Sequence, residues 1–208
     1  MTDQDVLWLS FANAERAGVE MDALMIALRD LLADGGLGQL RIDVDSLYET
    51  NHETEQGWSF GYSLYSYRIV PARGRAINRG WVSLGVSFWR PEDERGAGWD
   101  GAQTAKLYVA WWPPKGDGWS TDSLVVDGSG QSVDAAVNDR WRWRGVGVRS
   151  MSEAWLFCIR LMALRSRADL EREIAVPLRL LLEGRPAERA FAGCTALLLP
   201  PSLSSETS

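Results

Sequence analysis

The chain predicts an α+β fold. A mainly antiparallel sheet of about five or six strands, over roughly residues 38–149, packs with an N-terminal helix and C-terminal helices. Three observations lead there. Apolar residues recur at helical spacing only towards the two ends. Period-two alternation fills the middle. Eight of the eleven tryptophans lie between Trp81 and Trp143, inside that alternating stretch. Helical runs that flank a block of strands are the pattern of an antiparallel sheet covered by helices, not of alternating βαβ units.

Taken in order, residues 3–17 read either as a short helix ending at Gly18 or as a strand over 6–11. Met21, Leu24, Leu28, Leu31 and Leu32 then fall on one helical face, and Gly35-Gly36 stops that helix. Leu40, Ile42 and Val44 alternate with Arg41 and Asp43 as a half-buried strand, and the polar run 49–56 reads as a loop. Trp58, Phe60, Tyr62 and Leu64 alternate with small residues. The apolar phase then moves to Tyr65, Tyr67 and Ile69, which predicts a bulge or strong twist near Leu64.

The cleanest alternation spans residues 80–90. Val82, Leu84, Val86 and Phe88 form one face; Trp81, Ser83, Gly85, Ser87 and Trp89 form the other; Pro91 ends the strand. In the strand 105–112, Leu107, Val109 and Trp111 oppose Lys106, Tyr108, Ala110 and Trp112, and Pro113-Pro114 stops it. A short strand at 124–126 precedes an Asp127-Gly128 turn. Residues 132–138 read as one or two helical turns, and 141–149 as a last strand. Ser150 and Glu153 form a capping box for a helix over 151–165, with Trp155, Cys158, Leu161, Met162 and Leu164 inside. A further helix, about 169–183, is interrupted at Pro177 and ends at Gly184. These elements make one domain over 1–199, with residues 200–208 as a disordered tail.

Composition bounds the function classes. At 208 residues with 46% hydrophobic and 24% charged content, the chain can bury a full core. Net charge is −6, but residues 140–189 hold eleven arginines against six acidic residues, a basic region in an acidic protein. The acidic start, Asp3 and Asp5, does not read as a targeting leader. No apolar run approaches the ~20 residues of a membrane span. Cys158 and Cys194 read as two reduced thiols. The expectation is a cytoplasmic protein that engages no membrane.

Enzymatic signatures are sparse. His52 is the single histidine, so a Ser-His-Asp or Cys-His triad would have to use it, and no Gly-x-Ser-x-Gly elbow exists. Glu49-x-x-His52 has metal-ligand chemistry, but a dinuclear carboxylate site needs a second such pair. Asp43 and Asp45, at strand spacing, are the best paired carboxylates for a metal. Asp127-Gly-Ser-Gly130 lacks the lysine of a phosphate loop and reads as a turn. No cofactor motif is present.

Two constellations carry more weight as ligand-binding candidates. Trp81 and Trp89, beside Tyr108 and Trp112, frame small residues. That face either receives a helix, 21–32 or 151–165, or is an exposed aromatic trough for a ligand. Trp141, Arg142, Trp143, Arg144 and the following Arg149 place indoles on one strand face and guanidinium groups on the other, raw material for holding a carboxylate or phosphate. The leading expectation is a non-catalytic binding module for a protein partner or a small anionic ligand. The alternatives are an enzyme using acidic residues with an Arg-held anionic substrate, and single-stranded nucleic-acid binding through 140–189.

Overall fold

The computed structural model describes residues 3–53, 60–87, 105–114, 133–135, 143–145 and 155–198. Its centre is a six-stranded antiparallel sheet in the order β1-β2-β3-β4-β7-β8. The strands are β1 (Leu40–Glu53), β2 (Phe60–Pro71), β3 (Trp81–Ser87), β4 (Lys106–Trp112), β7 (Trp155–Arg160) and β8 (Leu197–Leu198). Two short strands, β5 (Val133–Ala135) and β6 (Trp143–Gly145), pair separately. The helices are α1 (Asp3–Ala33), α2 (Arg167–Leu170), α3 (Val176–Leu182) and α4 (Ala187–Ala190). The α+β class follows.

The C-terminal half of α1 packs on the sheet. Met25, Leu28, Leu31 and Leu32 join Ile42, Tyr67, Ile69, Val82, Leu84, Val86, Leu107, Val109, Phe157 and Ile159 in one core, closed by Leu170, Ile174 and Leu178. Burying each such aliphatic side chain contributes roughly 1.5–3 kcal/mol. Nearer its start α1 leaves Trp8 exposed at 69%, and Val19, just past its midpoint, at 65%. Residues 3–17 are therefore helical, and the helix runs through Gly18 instead of ending there. Gly18 has open space around it and a helical backbone, so it costs only its propensity, about 1 kcal/mol relative to alanine.

Four further expectations are corrected. Residues 49–53 are strand, not loop, because β1 pairs with β2 as far as Glu53. The ladder is regular at Leu64 itself; one bulge lies on β1, and a second register shift, between His52↔Tyr62 and Glu53↔Phe60, leaves Gly61 extra on β2. At the β1 bulge Asp43 faces Arg68 and Tyr48 faces Ser66, so β1 advances five residues while β2 advances two. The Ser46 hydroxyl ties this bulge, donating to the Asp43 carbonyl at 2.6 Å and accepting the Arg68 N–H at 2.8 Å. The apolar phase shift in β2 needs no bulge, because Leu64, Ser66, Tyr67, Ile69 and Val70 are all buried and both faces of the strand are covered.

Residues 133–135 are strand, not helix. Residues 155–160 are also strand, paired along β4 from Lys106↔Arg160 to Trp111↔Trp155, not part of a helix over 151–165. The unbroken apolar run Trp155-Leu-Phe-Cys-Ile159 suits a strand covered on both sides, and the 3–4 spacing within it misled. Ser150, Glu153 and the strand proposed at 124–126 lie outside the described residues.

The helix expected at 169–183 starts two residues earlier, and Pro177 leaves a mark. A π-turn over Glu171–Ala175 separates α2 from α3. Pro177 has no N–H to give the Glu173 carbonyl, four residues back. The Cys194 thiol lies 3.8 Å from that carbonyl and 3.8 Å from that of Arg172. Gly184, at φ 77°, closes α3 in the left-handed conformation.

Candidate functional site

The register brings together the residues of the aromatic face. Trp81 pairs with Trp112, Ser83 with Ala110, and Gly85 with Tyr108. That face is turned away from α1, whose leucines meet Val82, Leu84 and Val86 on the opposite side. The expectation that helix 21–32 beds on the aromatic face is therefore corrected. The face is nevertheless closed: Ser83 is fully buried, Ala110, Trp112 and Tyr108 are 1%, 2% and 7% exposed, and Trp81 is half-buried. Ser66 and Ser83 share a 2.7 Å hydroxyl–hydroxyl hydrogen bond within it. Lys106, on the same face, is also buried.

Of the basic strip, Trp143 and Arg144 lie in β6 opposite Ala135 and Asp134. Their side chains, together with Trp89, Trp141, Arg142 and Arg149, lie outside the described residues. The wider arginine-rich segment is partly committed to structure. Arg172 reaches Asp169 at 2.7 Å and Glu173 at 2.8 Å, and Arg165 Nε donates to the Met162 carbonyl at 3.0 Å.

The candidate metal ligands do not converge. Asp43 pairs with Arg68 at 2.7 Å, and Asp45 falls inside the β1 bulge, which breaks the strand spacing that would have set the two side by side. Among the described residues, no three of His, Cys, Asp or Glu are grouped to hold a metal ion. Neither Cys158 nor Cys194 is in a disulfide. Burial, with the Glu173 carboxylate nearby, pushes the Cys194 thiol up to about 12, so its nucleophilic thiolate is scarce at neutral pH. Iodoacetamide at pH 8 should leave both thiols of the native chain unmodified for hours and label both after unfolding in urea. Rapid labelling of Cys194 in the native state would contradict this account.

A different cleft has ligand-binding character. It lies at the end of the sheet where β1 begins, β2 ends and β4 ends, an open cleft of about 520 Å³. Leu40, Pro71, Trp111 and Leu182 give it apolar walls, and Gln39, Arg73 and Arg79 surround them with polar groups. Arg73 and Arg79 belong to the β2–β3 connection, residues 72–80, which the backbone holds tightly. Ala72 N–H donates to the Gln39 carbonyl at 2.9 Å, Arg79 N–H to Ile69 at 2.7 Å, and Ile69 N–H to Gly80 at 2.7 Å. The Asn78 side chain accepts the Gly80 N–H at 2.9 Å, a local turn bond of the kind asparagine favours.

Gly80 makes the wall possible. Its φ is 124°, and a Cβ there would collide with Trp111 Nε1 and the Trp112 carbonyl. The missing side chain lets the indole edge of Trp111 seat against the turn. Trp111 packs on the core through its strand face, as expected beside Leu107 and Val109, but it is only partly buried and also lines the cleft.

Electrostatically the cleft is cationic. The segments bordering it, residues 34–41, 71–80, 111–114 and 179–185, hold six arginines and two acidic residues in a chain of net −6. Arg73, Arg75 and Arg79 are exposed, and none forms an ion pair with a carboxylate among the described residues. Two guanidinium groups at one opening can meet a phosphate or carboxylate with paired, charge-assisted hydrogen bonds. The sequence reading missed this site. Its signal was available: residues 56–91 contain five arginines and no aspartate or glutamate. The overall net charge of −6 conceals it.

Among the described residues, no helix is long and apolar enough to cross a membrane. No protein-family model matches the chain, and neither a curated protein nor a solved structure matches it.

Proposed function

We propose that this protein is a non-catalytic binding module that takes an anionic ligand in the cleft between the β2–β3 connection and the ends of β1, β4 and α3. One observation carries the reading: Arg73 and Arg79 stand without carboxylate partners among the described residues, around a cleft with apolar walls. A surface arginine kept only for solubility has no need of a concave, partly apolar neighbourhood. A ligand site does, because excluding water strengthens the charge–charge term. Two cysteines outside any disulfide fit a reducing, cytoplasmic setting.

Isothermal titration of the full chain with inorganic phosphate and with citrate tests the reading. Binding should weaken as sodium chloride rises, since the contacts are ionic and exposed. Arg73→Glu combined with Arg79→Glu should lower the affinity at least tenfold. Arg16→Glu, on the exposed first half of α1 where Arg16 only faces Glu20 at 3.5 Å, should leave it unchanged. Equal affinities for the double variant and the parent chain would refute the proposal.

A further inference from the structure

We infer that the ligand of this cleft carries its anionic group on a flat aromatic ring, the chemistry of an aryl phosphate. The inference rests on the anion-binding reading above and adds the part of the ligand that the arginines do not touch. The first argument is size. The cleft is open to solvent and offers about 520 Å³. One water occupies about 30 Å³ of liquid and small-organic pockets run from roughly 300 Å³ upward, so a lone inorganic anion would leave most of the space wet.

The second argument is the division of chemistry across the cleft. Arg73, Arg79 and Gln39 supply the polar groups, while Leu40, Pro71, Trp111 and Leu182 supply apolar surface. A purely apolar ligand would leave the guanidinium groups without an anion, and a purely ionic one would leave the apolar walls hydrated. A molecule with both characters meets both.

The third argument is preorganisation. Trp111 is held by β4 pairing on both sides, to Val82 and to Trp155, and its indole edge rests against Gly80, where any side chain would collide. A fixed indole at a cleft wall favours a planar partner, because ring–ring contact contributes beyond area alone, and little freedom is lost on binding.

The experiment compares phenyl phosphate, butyl phosphate and inorganic phosphate by isothermal titration against the full chain. Phenyl phosphate should bind at least tenfold more tightly than inorganic phosphate and measurably more tightly than butyl phosphate. Trp111→Leu should remove the phenyl advantage while leaving inorganic phosphate affinity within about twofold; Trp111→Phe should restore much of it. If Trp111→Leu does not melt cooperatively, the ligand series on the unaltered chain decides alone. Equal binding of phenyl and inorganic phosphate overturns the aromatic inference and leaves the anion site standing. Binding of neither overturns both.

Discussion

Glu173→Gln is expected to lower the unfolding free energy by about 2–4 kcal/mol, a large share of the stability of an ordinary domain. Glu173 is fully buried in the π-turn. Its carboxylate accepts the Thr195 N–H at 2.9 Å, the Thr195 hydroxyl at 2.7 Å, the Ala196 N–H at 3.0 Å and Arg172 Nε at 2.8 Å. It thereby ties the helical layer to the segment entering β8, the last strand of the sheet. Glutamine keeps one acceptor oxygen but turns an NH2 group towards partners that are themselves donors, so at least one buried donor loses its acceptor.

The same contacts set a pH dependence. Burial by itself would raise the Glu173 carboxyl, but hydrogen bonds from Ala196, Thr195 and Arg172 outweigh it and hold the group below its ordinary value of 4.5. A carboxyl lowered in the folded state binds fewer protons there than in the unfolded chain. Its contribution is therefore complete above the ordinary value and is lost as pH falls through the lowered one. Urea unfolding at pH 7 and at successively lower pH should show the parent chain losing stability below about pH 4.5 more steeply than Glu173→Gln. Parallel curves would show that Glu173 does not carry this linkage.

Gly80→Ala should cost about 2–5 kcal/mol, combining backbone strain with overpacking. The residue sits at φ 124°, and its Cβ would meet Trp111 Nε1 and the Trp112 carbonyl, one of them backbone that cannot swing aside. Gly74→Ala provides the comparison. Gly74 lies in the same connection at φ 85° with nothing within 4 Å, so only the conformational cost of about 1–2 kcal/mol applies. Thermal unfolding of both variants checks this, and equal losses would mean the collision with Trp111 is not what constrains position 80. Where Gly80→Ala still folds, the displaced indole should weaken phenyl phosphate binding more than inorganic phosphate binding.

Much of the fold was legible because single-element chemistry is local. Met21 to Leu32 could form a stable packed helix on one face only, and Val82-Leu84-Val86 against Leu107-Val109 specified two antiparallel strands bounded by Gly80 and Pro113. The misreadings share a cause. Trp155 to Ile159 is an unbroken apolar run, and 64–70 carries buried residues on both of its faces, so neither segment has a clean period from which to tell helix from strand or bulge from regular ladder. The β1 bulge is held by Ser46 bonding to Asp43 and Arg68, a partnership with β2 that no local pattern announces.

The site followed the same division. By itself the sequence determined the α+β class, the side-by-side placement of Trp81, Tyr108 and Trp112, and the excess of arginine over lysine. Only the tertiary structure decided that this aromatic face is buried, that Asp43 and Asp45 do not act as a pair, and that the arginines with an apolar cleft beside them are Arg73 and Arg79. The reason is physical. A residue's type sets what it can bind, but burial and partners depend on which distant segments pack beside it. Trp111 lines a ligand-sized cleft only because Leu40, Pro71 and Leu182, from three separate parts of the chain, meet it at one end of the sheet.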